Sequence, residues 1–138
     1  MATKNRSTVY VDSSAFIAFL DRSDSYFPIF SQAFSNPPKL LTSPLVIAET
    51  QGWFLRRYDS RRARQFLSFI ETLSPMQIIS IDAPGLSAAT EIVEEFSDQP
   101  LTMVDAHGLS IIRQRKIKIC WSTDRHLTLT GAQLLIHL

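Results

Sequence analysis

Apolar residues along the chain follow two rhythms, and their alternation predicts the order of elements. Residues 8–11, "TVYV", form a short β-branched and aromatic run of the kind that makes a buried strand. The run stops at Asp12. In "SSAFIAFLDR", Ala15, Phe16, Phe19 and Leu20 recur at helical spacing, and "YFPIFSQAF" continues as a second helical segment around Pro28. "NPP" ends that segment and "KLLTS" predicts a second strand. Ser43 followed by Pro44 is the usual chemistry for starting a helix, here one running from Leu45 to about Tyr58. Its first half is apolar nearly all round, which predicts packing on several sides.

The pattern continues in the same way. "DSRRARQFLSFIETL" predicts a helix capped by Asp59 or Ser60, with Phe66, Leu67, Phe69, Ile70 and Leu73 as its buried stripe and Pro75 as its close. "MQIISI" is a third strand, and Asp82 before Pro84 caps the helix "GLSAATEIVEEF". After the loop "SDQP", Thr102 opens a helix to about Lys116. "IKICW" is a fourth strand, "STDRHL" turns, and "AQLLIHL" predicts a last strand. Parallel neighbours need long crossovers, so strands that alternate with helices predict one α/β domain with a mainly parallel sheet, an α/β/α sandwich spanning residues 1–138 behind a polar lead at 1–7.

A length of 138 residues suits one such domain, able to bury about two thirds of its unfolded surface. Hydrophobic residues at 45% and charged residues at 20% exclude disorder and fibrous structure. A net charge of +1 does not by itself attract nucleic acid, so a polyanionic substrate requires a local basic cluster. "RRYDSRRAR" supplies one with Arg56, Arg57, Arg61, Arg62 and Arg64, and "RQRKIK" adds Arg113, Arg115, Lys116 and Lys118. These residues contact phosphate or form a solvated face. Cys120 is the only cysteine, so no intramolecular disulfide forms. No apolar run reaches signal-peptide length near the N-terminus or about 18 residues anywhere, so the expected location is cytoplasmic, without membrane insertion.

Isolated carboxylates change the picture. Asp12 follows the first strand directly, Asp124 comes three residues after "IKICW", and Asp105 lies in the first turn of its helix. Loops and helix N-termini at the carboxyl ends of parallel strands form the edge where ligands bind. Glu49, one turn into the helix after "KLLTS", projects toward the same edge and sits among apolar neighbours. Each of the three aspartates has an alternative role as a helix or turn cap, Asp105 by closing a capping box with Thr102. Taken together, four like charges repel unless a cation neutralises them. Oxygen-only donors select Mg²⁺ or Mn²⁺, whereas His107, His126 and His137 lack the spacing of a zinc motif. A metal held this way suits attack by water on a phosphodiester.

Four segments in this order and spacing resemble the PIN-domain family, and within it the VapC-type ribonucleases of bacterial toxin–antitoxin pairs: "VYVDSSAFIAFLD", "SPLVIAETQ", "DQPLTMVDAHGLSI" and "CWSTDRHL". The resemblance implies Asp12, Glu49, Asp105 and Asp124 as a catalytic, metal-binding set. It also implies Ser14 and Ser122 as supporting hydroxyls and Asp98 as an auxiliary acid, although Asp98 also fits a simple turn. It implies a parallel-sheet α/β fold, Mg²⁺ or Mn²⁺ as cofactor, an RNA substrate, a homodimer and a cognate antitoxin. Ser13 stands where relatives commonly have Thr, and Leu127 where they often have Phe. Neither change alters charge. The alternative is a PIN-like module that binds RNA or a protein without cutting, its acids serving as caps.

Overall fold

Each apolar run that ends in a polar stop forms a short strand: β1 (Val9–Val11), β2 (Leu40–Thr42), β3 (Met76–Ile78), β4 (Ile119–Trp121) and β5 (Gln133–Leu134). Among the described residues six α-helices flank them: α1 (Ser13–Leu20), α2 (Phe27–Ser35), α3 (Pro44–Arg57), α4 (Ser60–Thr72), α5 (Ala83–Glu95) and α6 (Met103–Arg115). The computed structural model describes residues 8–74 and 76–138, so the polar lead at 1–7 and the expected helix stop at Pro75 lie outside the described residues. All strand pairings are parallel and the order is β3-β2-β1-β4-β5. This is the α/β fold with a parallel sheet that the alternating rhythm predicts. Among the described residues no helix is long and apolar enough to cross a membrane.

That strand order has a reversal in it. From β1 the chain builds outward through β2 and β3 on one side, then returns to lay β4 and β5 on the other. Where the order reverses, the connections leaving adjacent strands part in opposite directions and open a crevice at their carboxyl ends. Asp12 stands directly after β1, and its backbone N–H donates to the Trp121 carbonyl at the end of β4. The first and last acids of the sequence pattern therefore flank the reversal.

Several boundaries differ from expectation, each for a local reason. "MQIISI" pairs only through Ile78, because β2 ends at Thr42 and Ser43 and Pro44 turn that chain into α3; Ile79 makes one further bond to the Thr42 carbonyl. "AQLLIHL" pairs only at Gln133 and Leu134, opposite Ile119 and Cys120, and then tightens into a 3₁₀ turn at Leu135–His137. In α3, burial follows one face (Val46, Thr50, Phe54), while Ala48, Glu49 and Leu55 are exposed, so the helix is packed from one side rather than several. In α4 the buried stripe is Ala63, Phe66 and Ile70, and Leu67 is exposed.

The early aromatic residues are mostly consumed in the core. Phe16 lies 5.6 Å from Phe66 and 5.8 Å from Phe34 between ring centres, and Phe34 meets Trp121 edge-on at 4.9 Å. Offset and edge-to-face pairs of this kind add to the area they bury. On the sheet's other flank α6 comes unusually close to β1. A Cβ on Gly108 would stand 3.0 Å from the fully buried Tyr10 ring, tighter than ordinary packing allows. Gly108→Val should therefore cost about 2–3 kcal/mol through overpacking. A lower denaturant midpoint at unchanged slope checks this.

Candidate active site

Asp12 occupies the N-cap position of α1, yet its side chain makes no capping bond. Instead Oδ2 accepts from Ser122 Oγ at 2.8 Å and from Ser14 Oγ at 3.3 Å, and the two hydroxyls lie 3.1 Å apart. Ser122 also accepts the Asp124 N–H at 2.9 Å, and Ser14 accepts the Thr123 N–H at 2.9 Å. This small network stitches the end of β1 to the loop after β4. Asp12 is buried, which pushes its carboxyl up to about 6; the Ser122 bond works against the rise, while the negative charges of Asp105 and Glu49 add to it.

The other three acids approach from separate elements. Glu49, on the exposed side of α3, accepts the Ser13 hydroxyl at 2.6 Å. It is not enclosed by its apolar neighbours as the sequence suggested, because Val46 and Phe54 turn to the buried face of the helix while Ala48 is exposed beside it. Asp105 closes the expected capping box: its N–H donates to Thr102 Oγ1 at 3.1 Å and its Oδ2 accepts the Thr102 N–H at 3.2 Å. Its carboxyl is raised, chiefly by burial, with Asp124 adding and the Thr102 bonds and His126 opposing. Asp124 caps the short 3₁₀ turn Arg125–Thr128, accepting the His126 N–H, and its Oδ1 lies 2.9 Å from His126 Nδ1.

Capping and clustering thus coexist. Asp105 and Asp124 are caps, Asp12 is not; Asp12 feels the charges of Asp105 and Glu49, and Asp105 feels that of Asp124. Among the described residues no three His, Cys or carboxylate side chains stand in ready-made coordinating geometry. The donor chemistry still fits a hard divalent cation: every donor is an oxygen, and burial, with neighbouring negative charge adding, makes Asp12 and Asp105 hold their protons more tightly than usual. Asp98 is exposed in the turn after α5, where Gln99 Nε2 lies 3.5 Å from its Oδ2.

The basic cluster divides. The Arg62 guanidinium donates to the Leu20 carbonyl at 2.9 Å and sits 4.3 Å over the Tyr58 ring, so its charge serves the α1–α3–α4 junction. Arg56, Arg57, Arg61 and Arg64 remain exposed. Arg56 lies seven residues along α3 from Glu49, about 10 Å at helical rise. In the second cluster, Arg113 is taken by a two-pronged pair with Glu95 at 2.8 Å. Sequence reasoning missed Ser13 and His126 as partners of site acids. The signal for His126 is its place two residues after an aspartate, where such side chains fold back onto the backbone.

Comparison with known proteins agrees with this architecture. The PIN domain family model matches residues 9–132, nearly the whole chain, and the chain belongs to that family. Its fold is similar to VapC20 of Mycobacterium tuberculosis, described as a toxin that cleaves the sarcin-ricin loop: TM-score 0.81 at 21% identity, covering 91% of this chain and 96% of that one. PAE2754 of Pyrobaculum aerophilum is similar at TM-score 0.65 and 17% identity, covering 95% and 91%. VapBC2 of Rickettsia felis, solved with a DNA fragment from its promoter, is similar at TM-score 0.61 and 14% identity, covering 92% and 96%. No curated protein matches the chain in sequence.

Proposed function

We propose that this PIN domain is an endoribonuclease, dependent on Mg²⁺ or Mn²⁺, that hydrolyses RNA phosphodiester bonds with water and serves as the toxin of a toxin–antitoxin pair. The observation that carries the reading is Asp12, a buried carboxyl held by two serines at the sheet's reversal and facing the charges of acids from distant parts of the chain. Asp12, Glu49, Asp105 and Asp124 would hold the cation. Bound there, it supplies a lowered pKa for water and an offset to charge on the phosphate. Ser122 and Ser14 orient Asp12, Ser13 orients Glu49, and His126 orients Asp124.

Exposed Arg56, Arg57, Arg61 and Arg64 contact backbone phosphates some distance from the scissile bond. Changing these four to Gln should weaken RNA binding and reduce its salt slope by roughly 0.7 per lost contact, the increment for a single strand. Arg62→Ala should instead lower stability by about 1–2 kcal/mol through the lost bond and ring contact. The likeness to VapC20 and VapBC2 supports the toxin role and an antitoxin partner, and we extend it to a homodimer in the cytoplasm. The direct test is RNA cleavage by purified protein with Mg²⁺ or Mn²⁺, against a chelator control. Cleavage that ceases with the chelator and with Asp105→Asn supports the enzyme. Tight RNA binding with no cleavage under any divalent ion favours the non-cutting module, whose acids are caps, as Asp105 and Asp124 are here.

A further inference from the structure

The hydrogen bonds to each of the four acids gather on one oxygen. Asp12 accepts from Ser122 and Ser14 on Oδ2, Glu49 from Ser13 on Oε1, Asp105 from the Thr102 N–H on Oδ2, and Asp124 from both the N–H and Nδ1 of His126 on Oδ1. Asp12 Oδ1, Glu49 Oε2, Asp105 Oδ1 and Asp124 Oδ2 take none of these bonds. Nearby donors alone do not force this division. Asp12 and Asp124 each have two donors, which could serve one oxygen apiece, yet in both acids the two fall on the same one.

An oxygen of an ionised carboxylate has two lone pairs. Two donors therefore fill Asp12 Oδ2 and Asp124 Oδ1, and either acid can give a cation only its other oxygen unless a bond is broken. At Glu49 and Asp105 the held oxygen keeps one lone pair, and a cation that took both oxygens would compete with Ser13 or Thr102 for the carboxylate. The holders differ in stiffness. Ser122 is fully buried and also accepts the Asp124 N–H, so it cannot swing away, whereas the contact of Ser13 with Glu49 is exposed.

Cations differ in what they ask of a carboxylate. Ca²⁺ gathers about 6–8 oxygens and readily takes two from one carboxylate, whereas Mg²⁺ demands near-ideal geometry around about six and keeps several waters. Mn²⁺ suits the same hard donors. Acids with one oxygen occupied serve the second kind of ion and penalise the first. We propose that Ser13, Ser14, Ser122 and His126 set the ion choice of the crevice, holding its acids to one oxygen each so that Mg²⁺ and Mn²⁺ are admitted and Ca²⁺ is disfavoured. The inference rests on the metal-dependent reading of the site and makes these four positioning residues that act through the acids.

Mn²⁺ bound to the purified protein, followed by its electron paramagnetic resonance signal and displaced by Mg²⁺ or Ca²⁺, measures ion choice without any RNA. In the wild type, Mg²⁺ should displace Mn²⁺ at no higher concentration than Ca²⁺ does. His126→Ala opens a lone pair on Asp124 Oδ1 and should shift the choice toward Ca²⁺ by about tenfold, the scale of one hydrogen bond to a charged group. Ser13→Ala should do the same through Glu49. His126→Asn places an amide N–H near the position of Nδ1, and Ser13→Thr keeps the hydroxyl, so each should restore the wild-type ratio. A merely structural role would not move that ratio and return it. The exposed Ser13 pair remains informative if His126→Ala fails to fold. Ca²⁺ displacing Mn²⁺ at lower concentration than Mg²⁺ in the wild type, or a ratio unchanged in both alanine variants, overturns the proposal. Either result from a protein that cleaves RNA with Mg²⁺ leaves the nuclease standing. The expected ratios from a protein that cuts no RNA support the ion choice and remove the nuclease, and no bound Mn²⁺ at all overturns both.

Discussion

Asp12→Asn should make the metal-free protein more stable at neutral pH while abolishing RNA cleavage. In the folded chain the Asp12 carboxyl is raised from its ordinary 3.8 to about 6, so the folded state holds this proton more tightly than the unfolded state. The sign follows from linkage. As pH rises from about 4 through 6, the unfolded chain ionises first, and stability falls until both states are ionised. At about 1.4 kcal/mol per pH unit the full penalty is about 3 kcal/mol, present above pH 6 and absent below pH 4. Asparagine removes the charge and with it the penalty. The gain should therefore appear at pH 7, vanish near pH 3.5, and shrink when Mg²⁺ or Mn²⁺ is added, because the ion stabilises only the wild type. Cleavage should drop by at least about a hundredfold, the loss typical of removing a group that acts on the reacting centre. Denaturant curves at two pH values, with and without the ion, measure the first effect. A variant less stable at pH 7 than the wild type would show that Asp12 is a structural anchor.

The contrast between Asp12 and the other acids explains how much of the site the sequence discloses. Alternating strands and helices give the fold, because a parallel sheet leaves few other ways to bury runs such as "TVYV" and "IKICW". The capping box of Thr102 and Asp105 is legible because both partners lie within one turn. What the sequence does not disclose is long-range. Ser122 and Asp12 are 110 residues apart and meet only because β1 pairs with β4; Ser13 reaches Glu49 across 36 residues. Glu49 reads as enclosed because its neighbours are apolar, yet the direction of a helix face depends on what packs there. Strand ends fail for the same reason: "MQIISI" and "AQLLIHL" stop pairing where their partners stop, a limit set on another part of the chain. Arg62 joins a basic run in sequence and an aromatic junction in space.

Ser122→Ala should move the acid limb of the cleavage profile upward and lower stability, most of all above pH 6. The Ser122 hydroxyl is fully buried and occupied on two sides, donating to Asp12 Oδ2 and accepting the Asp124 N–H. Alanine leaves the second group without its partner and removes the bond that favours the ionised form of the first. A lost bond to a charged, buried group costs about 2 kcal/mol, and the same loss raises the carboxyl further above 6 by about one pH unit. Below pH 5 Asp12 is protonated in the folded chain and that bond no longer favours either state, so the stability gap should narrow. The kcat/KM profile reports ionisation of the free enzyme, so its acid limb should shift by a similar amount while the plateau at high pH partly recovers. Ser122→Thr keeps the hydroxyl and should restore the limb even if packing suffers. An acid limb unmoved in Ser122→Ala would mean that ionisation of Asp12 does not govern activity, and the crevice would then owe its chemistry to Glu49, Asp105 and Asp124 alone.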